Sequence, residues 1–430
     1  MGVIALLVVY LIMQRSKLGF SAYIITTTDQ YMTRQEFLRR TAALGLGAPF
    51  LGSLLSSCAE DGIFNPEFTT NFSGRVLIIG AGSAGLHAGF ALRQFGIDFQ
   101  ILEASNRFGG RVKKTDDFAD FPIDLGAEWI HTDPSVMSRL SGDGSTADSD
   151  VETIRYRPQS YFLWDGEELR KRDILRHFYA EYKFKSTTWY DYLEQYIVPQ
   201  VRDRITYESP ITAVDYSGDG VVVTTLAGET YEADRVILTV PLTQLKQSAI
   251  QFTPALPTGK VSALDQVEMP DGLKIFVQFR EQFYPDMTID GTLPEYLTEE
   301  DGDKAIYNAA FGKDTSDHVL ALFCVGAHAS EYVEQGSDDA IFEYFMAELD
   351  EMYDGAASEN YMSHVVQNWT AEAYIGGSYA HYQDYSAQPT LGEPVDGKVY
   401  FAGEAYSQSD QSTVHGAGLS AYEAVEAILS

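Results

Sequence analysis

The run GRVLIIGAGSAGLHAGFALRQFGIDFQILEA, residues 74–104, constrains the fold more than any other part of the chain. Val76 to Ile79 is continuously apolar, as a central parallel strand covered on both faces must be. Gly80-Ala81-Gly82-Ser83-Ala84-Gly85 follows at once. Ala84, Ala88, Ala91, Leu92 and Phe95 then recur at the spacing of one buried helical stripe, which Gly96 ends. A second strand, Phe99 to Leu102, finishes on Glu103, 18 residues beyond Gly85. Each part has a physical task at a dinucleotide. The glycines permit a tight turn and close backbone approach, the helix N-terminus offers free N–H groups to a pyrophosphate, and the carboxylate accepts from ribose hydroxyls. A lone GxGxxG is weak evidence, but one placed between this strand and this helix, with an acid at this distance, predicts an α/β fold with a Rossmann-like dinucleotide-binding domain.

Composition narrows the ligands. A formal net charge of −32 over 430 residues argues against nucleic acid, whose phosphates reward clusters of Lys and Arg, and favours cationic ligands. The two cysteines, Cys58 and Cys324, provide no disulfide framework, and the eight histidines show no ligand spacing, so no metal is expected.

Two distant segments complete the cofactor reading. EASNRFGGRV places Arg107, Gly109, Gly110 and Arg111 just beyond the ribose-binding acid, where glycines let backbone come close and arginine meets phosphate. Near the C-terminus, KVYFAGEAY supplies another strand into Gly403-Glu404, and a final helix carries Ala417, Ala421, Ala424, Val425 and Ile428 on one face. With SPITAVDYSGDGVVVTTLAGETYEADRVILTVPLTQL between them, these segments resemble the flavin-containing amine oxidase family from about Gly74 to the end. The resemblance implies FAD held by Gly80, Gly82, Ser83, Ala84, Gly85, Glu103, Arg107, Gly110 and Arg111 from the first segment. It adds Gly126, Ala127, Glu128 and Trp129, then Ile211 and Trp369, and finally Gly403, Glu404, Thr413 and Val414. For Ile211, plain core packing is an equal reading. Monoamine oxidases carry a cysteine where this chain has Ser378, so a noncovalent FAD is expected.

The stretch DGLKIFVQFREQFYP, residues 271–285, poses a separate question. Read with period two, Leu273, Ile275, Val277 and Phe279 share one face and Lys274, Phe276 and Gln278 the other. By itself such a lysine is a solvated face residue. Within the family resemblance it is the lysine that projects toward the flavin and holds a water near N5, where a cation favours developing negative charge. NWTAEAYIGGSYAHY brings Trp369, Tyr374 and Tyr379, matching the family's aromatic run, and DLGAEWIHTDPS places Trp129 and His131 beside the ring by the same resemblance. The catalytic set implied is Lys274, Tyr379, Trp369 and His131. Thr413, where monoamine oxidases have a second tyrosine, and the GAEWIH segment both resemble polyamine oxidases and flavin histone demethylases.

The function implied is oxidation of a small-molecule amine, a polyamine or relative, by hydride transfer to FAD, giving an imine or aldehyde, with O2 reduced to H2O2. Alternatives are a desaturase, porphyrinogen oxidase or L-amino acid oxidase of the same fold, or a flavin-bearing lipoprotein without turnover. FAD-binding segments are expected at 73–130, 203–250 and 390–430, and a mixed α+β substrate domain with an antiparallel sheet at 131–202 and 251–389. WYDYLEQYIVPQV reads as a helix that Pro199 interrupts. Residues 32–58, MTRQEFLRRTAALGLGAPFLGSLLSSC, have the basic start, apolar middle and small-residue end of an export signal, with Leu55-Ser56-Ser57-Cys58 resembling a lipobox. Residues 1–58 are thus expected to be the export signal and lipobox, with Met32 a candidate start, 59–72 a tether, and a lipid on Cys58 the expected membrane attachment in a bacterial cell envelope.

Overall fold

The computed structural model describes residues 69–142, 151–172, 181–291 and 303–430. The export signal, Met32, Cys58 and most of the tether lie outside these residues.

Five strands form a wholly parallel sheet in the order Val399–Phe401, Arg235–Leu238, Arg75–Ile79, Asp98–Leu102, Ile205–Thr206. Strand alternation divides its side chains between two cores. Val76, Ile78, Phe99 and Ile101 face the helices Ser83–Gln94 and Val414–Leu429. Leu77, Ile79, Leu102, Val236 and Leu238 face a four-stranded sheet built from Thr230–Ala233, Val221–Thr225, Ile211–Asp215 and Gln251–Thr253. Burial on both faces is why the first strand reads as unbroken aliphatic sequence.

A second, seven-stranded sheet runs Tyr361–Asn368, Gly272–Phe279, His318–Val325, Lys304–Asn308, Met287–Asp290, Tyr161–Trp164, Leu169–Lys171. Neighbours are antiparallel except Met287–Asp290 beside Tyr161–Trp164. Leu273, Ile275, Val277 and Phe279 pack beneath the helix Asp338–Met352, whose Ile341, Phe345 and Leu349 are fully buried. Each such side chain contributes about 2 kcal/mol by the area it removes from water. Ser337 caps that helix by accepting from Ala340 N–H, with Asp338 and Asp339 in its first turn. Phe276, on the other face of the strand, joins Phe121, Ile123, Tyr156 and Tyr307.

Packing divides the chain differently from the expected boundaries at 131–202 and 251–389. Val136, Met137, Leu140 and Trp189 through Val201 pack with the dinucleotide helices, and Ala263, Leu264, Val267, Ala380 and Tyr382 join the core between the parallel and four-stranded sheets. Pro199 also behaves differently from expectation, because the helix passes through it. Leu193–Ile197 form a π-turn, Val198 N–H donating to Leu193 O, and Pro199 falls in the first turn of the following segment Val198–Val201. There its missing N–H costs nothing, and the wider turn relieves the clash a proline imposes on the preceding carbonyl.

Candidate active site

The glycine turn closes on itself. Gly80 adopts φ +109°, and a Cβ on Gly85 would stand 1.9 Å from Gly80 O, so the helix Ser83–Gln94 starts directly against the strand end. Its N-cap, Gly82, makes no side-chain cap, and a Cβ there would meet only Gly109 O, at 3.9 Å. The first-turn N–H groups therefore remain available to an anionic ligand in an open cradle. Gly109 N donates to Ala81 O at 2.8 Å, laying the second glycine pair beside the first. Glu103 Oε2 accepts from Ala81 N at 2.6 Å and Oε1 from Ser105 N and Oγ at 2.9 and 2.7 Å, which leaves lone-pair capacity on Oε2 for a ribose hydroxyl. Ser83 Oγ donates to Val414 O at 2.9 Å, bringing the starts of the two long helices together. Thr413 caps the second helix by accepting from Gly416 N at 2.9 Å. Gly403 is bracketed by Ser420, whose Oγ accepts from its N and donates to its O. These residues fit a dinucleotide.

The arginines have protein partners. Arg107 donates to the carbonyls of Phe108, Gly110 and Val112 and stands 3.6 Å from Glu372, so it braces the glycine loop. Arg111 binds Glu404 and Ser378 O. Ile211 opens the strand Ile211–Asp215 and packs in the core with Leu102.

Lys274 is held inside. It is 3% exposed, and its Nζ donates to Asp124 O at 2.7 Å, Gly126 O at 3.1 Å and Glu128 Oε2 at 2.7 Å. These three protein oxygens take up all three ammonium hydrogens, so the expected hold on a water is not what this geometry provides; the lysine is instead a charge fixed in place by its partners. Gly126 must be glycine here, since a Cβ would lie 1.9 Å from Arg111 O and 3.0 Å from the Trp369 ring. Trp369 Nε1 donates to Leu125 O at 3.0 Å. Lys274, Trp369 and the 124–128 segment thus form one seam between the parallel-sheet core and the seven-stranded sheet.

Glu128 also binds a residue the sequence did not single out. Lys183, 1% exposed on the strand Glu181–Phe184, reaches Glu128 Oε1 at 2.5 Å, and Tyr307 donates to Oε2. Burial pushes the Glu128 pKa upward, but the Lys183 and Lys274 ammonium groups outweigh it and hold the carboxyl well below its usual range. Asp124 moves the other way, raised by burial and then by the Glu128 charge. Lys183 is lowered by burial against the opposing pull of Glu128. A lysine on an alternating strand gives no sequence signal that separates this position from a solvated one.

The remaining expected residues divide. Tyr379 is half-buried, while Tyr374 turns outward at φ 64° and 42% exposure, away from the aromatic run it was expected to join. His131 is partly exposed, with Nδ1 3.5 Å from Glu181 Oε2. Trp129 and Ala127 pack beside the network, Trp129 meeting Tyr156 and Tyr307 at 5.1 and 5.2 Å.

A parallel dinucleotide sheet with an open glycine cradle, joined at a seam to a mixed sheet carrying a buried lysine, defines a two-part nucleotide-cofactor oxidoreductase. The sequence profile of the flavin containing amine oxidoreductases matches residues 83–183 and 159–429, and the chain belongs to that family. It is similar to polyamine oxidase 1 of Zea mays, 24% identical over 83% of this chain and 90% of the relative. It is likewise similar to probable polyamine oxidase 4 of Arabidopsis thaliana, 26% identical over 82% and 86%. Lysine-specific histone demethylase 2 of Homo sapiens is 24% identical over 80% of this chain, which spans 52% of that longer protein. Among solved structures, cyclohexylamine oxidase from Brevibacterium oxydans IH-35A superposes with a TM-score of 0.69, 16% identity and coverage of 83% and 99%. Putrescine oxidase bound to putrescine gives a TM-score of 0.66, 16% identity and coverage of 82% and 98%. The protein is an FAD-dependent amine oxidoreductase.

Proposed function

We propose that the substrate is a polyamine or related small alkylamine and that O2 takes up the electrons, leaving H2O2. The buried Lys274 ammonium, fixed between Asp124, Gly126 and Glu128 beside Trp369, is the observation that carries this reading. Relatives named polyamine oxidases support the substrate class.

FAD, when bound, supplies the acceptor for a hydride from the carbon next to the amine nitrogen. Gly82, the first turn after it, Glu103 and the Gly403 segment would hold it, and Ser378 offers no thiol, so the association would be noncovalent. Lys274 holds its ammonium at the seam, where it would favour negative charge on a bound acceptor. Trp369 shields the same seam from water, its indole fixed by Leu125 O. An amine donates hydride only as its free base, and His131, with Nδ1 3.5 Å from Glu181 Oε2, is the side chain assigned to accept that proton. The iminium released is hydrolysed to an aldehyde.

Anaerobic bleaching of the flavin across a panel of spermine, spermidine, putrescine and simple amines, followed by peroxide assay in air, tests this. Bleaching by a polyene or porphyrinogen and by no amine would replace the reading. Export with a lipid on Cys58 rests on residues 32–58 alone. Fractionation of the native host and fatty-acid labelling lost in Cys58→Ala test it, and an unlabelled cytosolic protein contradicts it.

A further inference from the structure

We propose that Lys183 is a positioning residue for the amine oxidation: by holding one oxygen of Glu128 it fixes the other oxygen on Lys274. The inference rests on Lys274 being the charge that faces the cofactor. Glu128 is a shared carboxylate, Oε1 on Lys183 at 2.5 Å and Oε2 on Lys274 at 2.7 Å, with Tyr307 also on Oε2. Lys183 is boxed by three aromatic rings, its Nζ lying 4.8, 5.2 and 5.1 Å from the centroids of Trp129, Tyr156 and Tyr307. Among the described residues it has one other acceptor, Ala309 O, at the long distance of 3.5 Å.

Neutralising Glu128 requires a single cation, and Lys274 already provides it. A second ammonium buried in the same place is expensive unless paired, so its presence calls for a role that one lysine cannot fill. With Lys183 absent, Glu128 keeps Tyr307 and Lys274 on Oε2 but loses the cation on Oε1, so the carboxylate can pivot about Oε2 and no longer presents it to Lys274 in one fixed orientation. The aromatic box restrains Lys183, since cation–π attraction to three rings and burial both hold the ammonium in place. Other ionisable groups face the cluster: Asp124, whose carboxyl burial and the Glu128 charge raise above its usual range, and Lys313, whose Nζ is bound to Phe184 O and Lys185 O at 3.2 and 3.3 Å.

Lys183→Met fills the box without a charge, and Lys183→Gln keeps a donor toward Glu128 without a charge. Each is compared with Lys274→Met and with the Lys183→Met/Lys274→Met double variant in holoenzyme. Three quantities are read: FAD content, the dye-equilibrated reduction potential of bound FAD, and the rate of flavin reoxidation by O2 after anaerobic reduction with an amine. Lys183→Met is expected to retain FAD and slow reoxidation about tenfold, but to slow the Lys274→Met variant further by less than about twofold, because residues acting as one unit are not additive. Loss of one nearby positive charge should also lower the two-electron reduction equilibrium about tenfold, which is 29.6 mV. Should Lys183→Met not fold, Lys183→Gln carries the same expectations. Wild-type rate and potential in a neutral variant, or rate losses that multiply in the double variant, overturn the proposal while leaving Lys274 in its role. Unchanged half-reactions in Lys274→Met overturn the reading beneath it.

Discussion

Arg111 donates from Nη1 to Glu404 Oε1 at 2.9 Å and to Ser378 O at 2.8 Å, so one guanidinium ties the first glycine-rich segment to the C-terminal one and to the aromatic run. Glu404 also accepts from Ala380 N at 3.2 Å. Arg111→Ala leaves that buried carboxylate with Ala380 N but without its cation, and should destabilise the fold by about 2–3 kcal/mol, less than for a wholly buried pair because Arg111 keeps some contact with water. Denaturant unfolding should show the loss, and FAD affinity should fall with it.

Gly85→Ala puts a methyl 1.9 Å from Gly80 O, a contact backbone cannot relieve cheaply. The strand-to-helix turn must open, and the purified variant should carry less than about a tenth of the wild-type FAD, since the helix N-terminus no longer lines up with the pyrophosphate. Absorbance at the flavin bands measures it.

Lys274→Met should retain FAD and slow at least one half-reaction about 10- to 1,000-fold, the range set by removing one preorganised electrostatic partner. Stopped-flow spectra of reduction by amine and reoxidation by O2 separate the two. Wild-type rates in both would remove its assigned role.

His87 is wholly buried between the two long helices, with Nδ1 2.7 Å from Ser83 O, and burial lowers its pKa to about 4. Unfolded, it titrates near 6.5, so the unfolded chain takes up a proton that the folded one refuses. Stability is then constant above about pH 6.5 and falls as pH drops toward 4, by about 3 kcal/mol from this group. Urea unfolding at pH 7.5 and 4.5 should show that difference shrinking in His87→Asn.

Acid precipitation should release all the FAD, because Ser378 has a hydroxyl where a thioether needs sulfur, and that hydroxyl donates to Pro270 O. Flavin absorbance remaining with the precipitated protein would contradict it.

The dinucleotide motif was legible because its parts act on near neighbours. Gly80, Gly85 and Glu103 meet within one strand–helix–strand turn, where the constraint is covalent reach and steric room. The two-faced character of Gly272–Phe279 was equally legible, since strand geometry alone sends Lys274 opposite to Ile275. Sequence left the destination of that ammonium open, because its three acceptors come from residues about 150 positions earlier. Tertiary packing alone delivered Lys183 to the other oxygen of Glu128, carried Pro199 within a helix through a π-turn, and turned Tyr374 outward. The physical reason is common to these cases: local sterics and periodicity are written along the chain, whereas pairing a buried charge depends on which segments a closed core brings within hydrogen-bond reach.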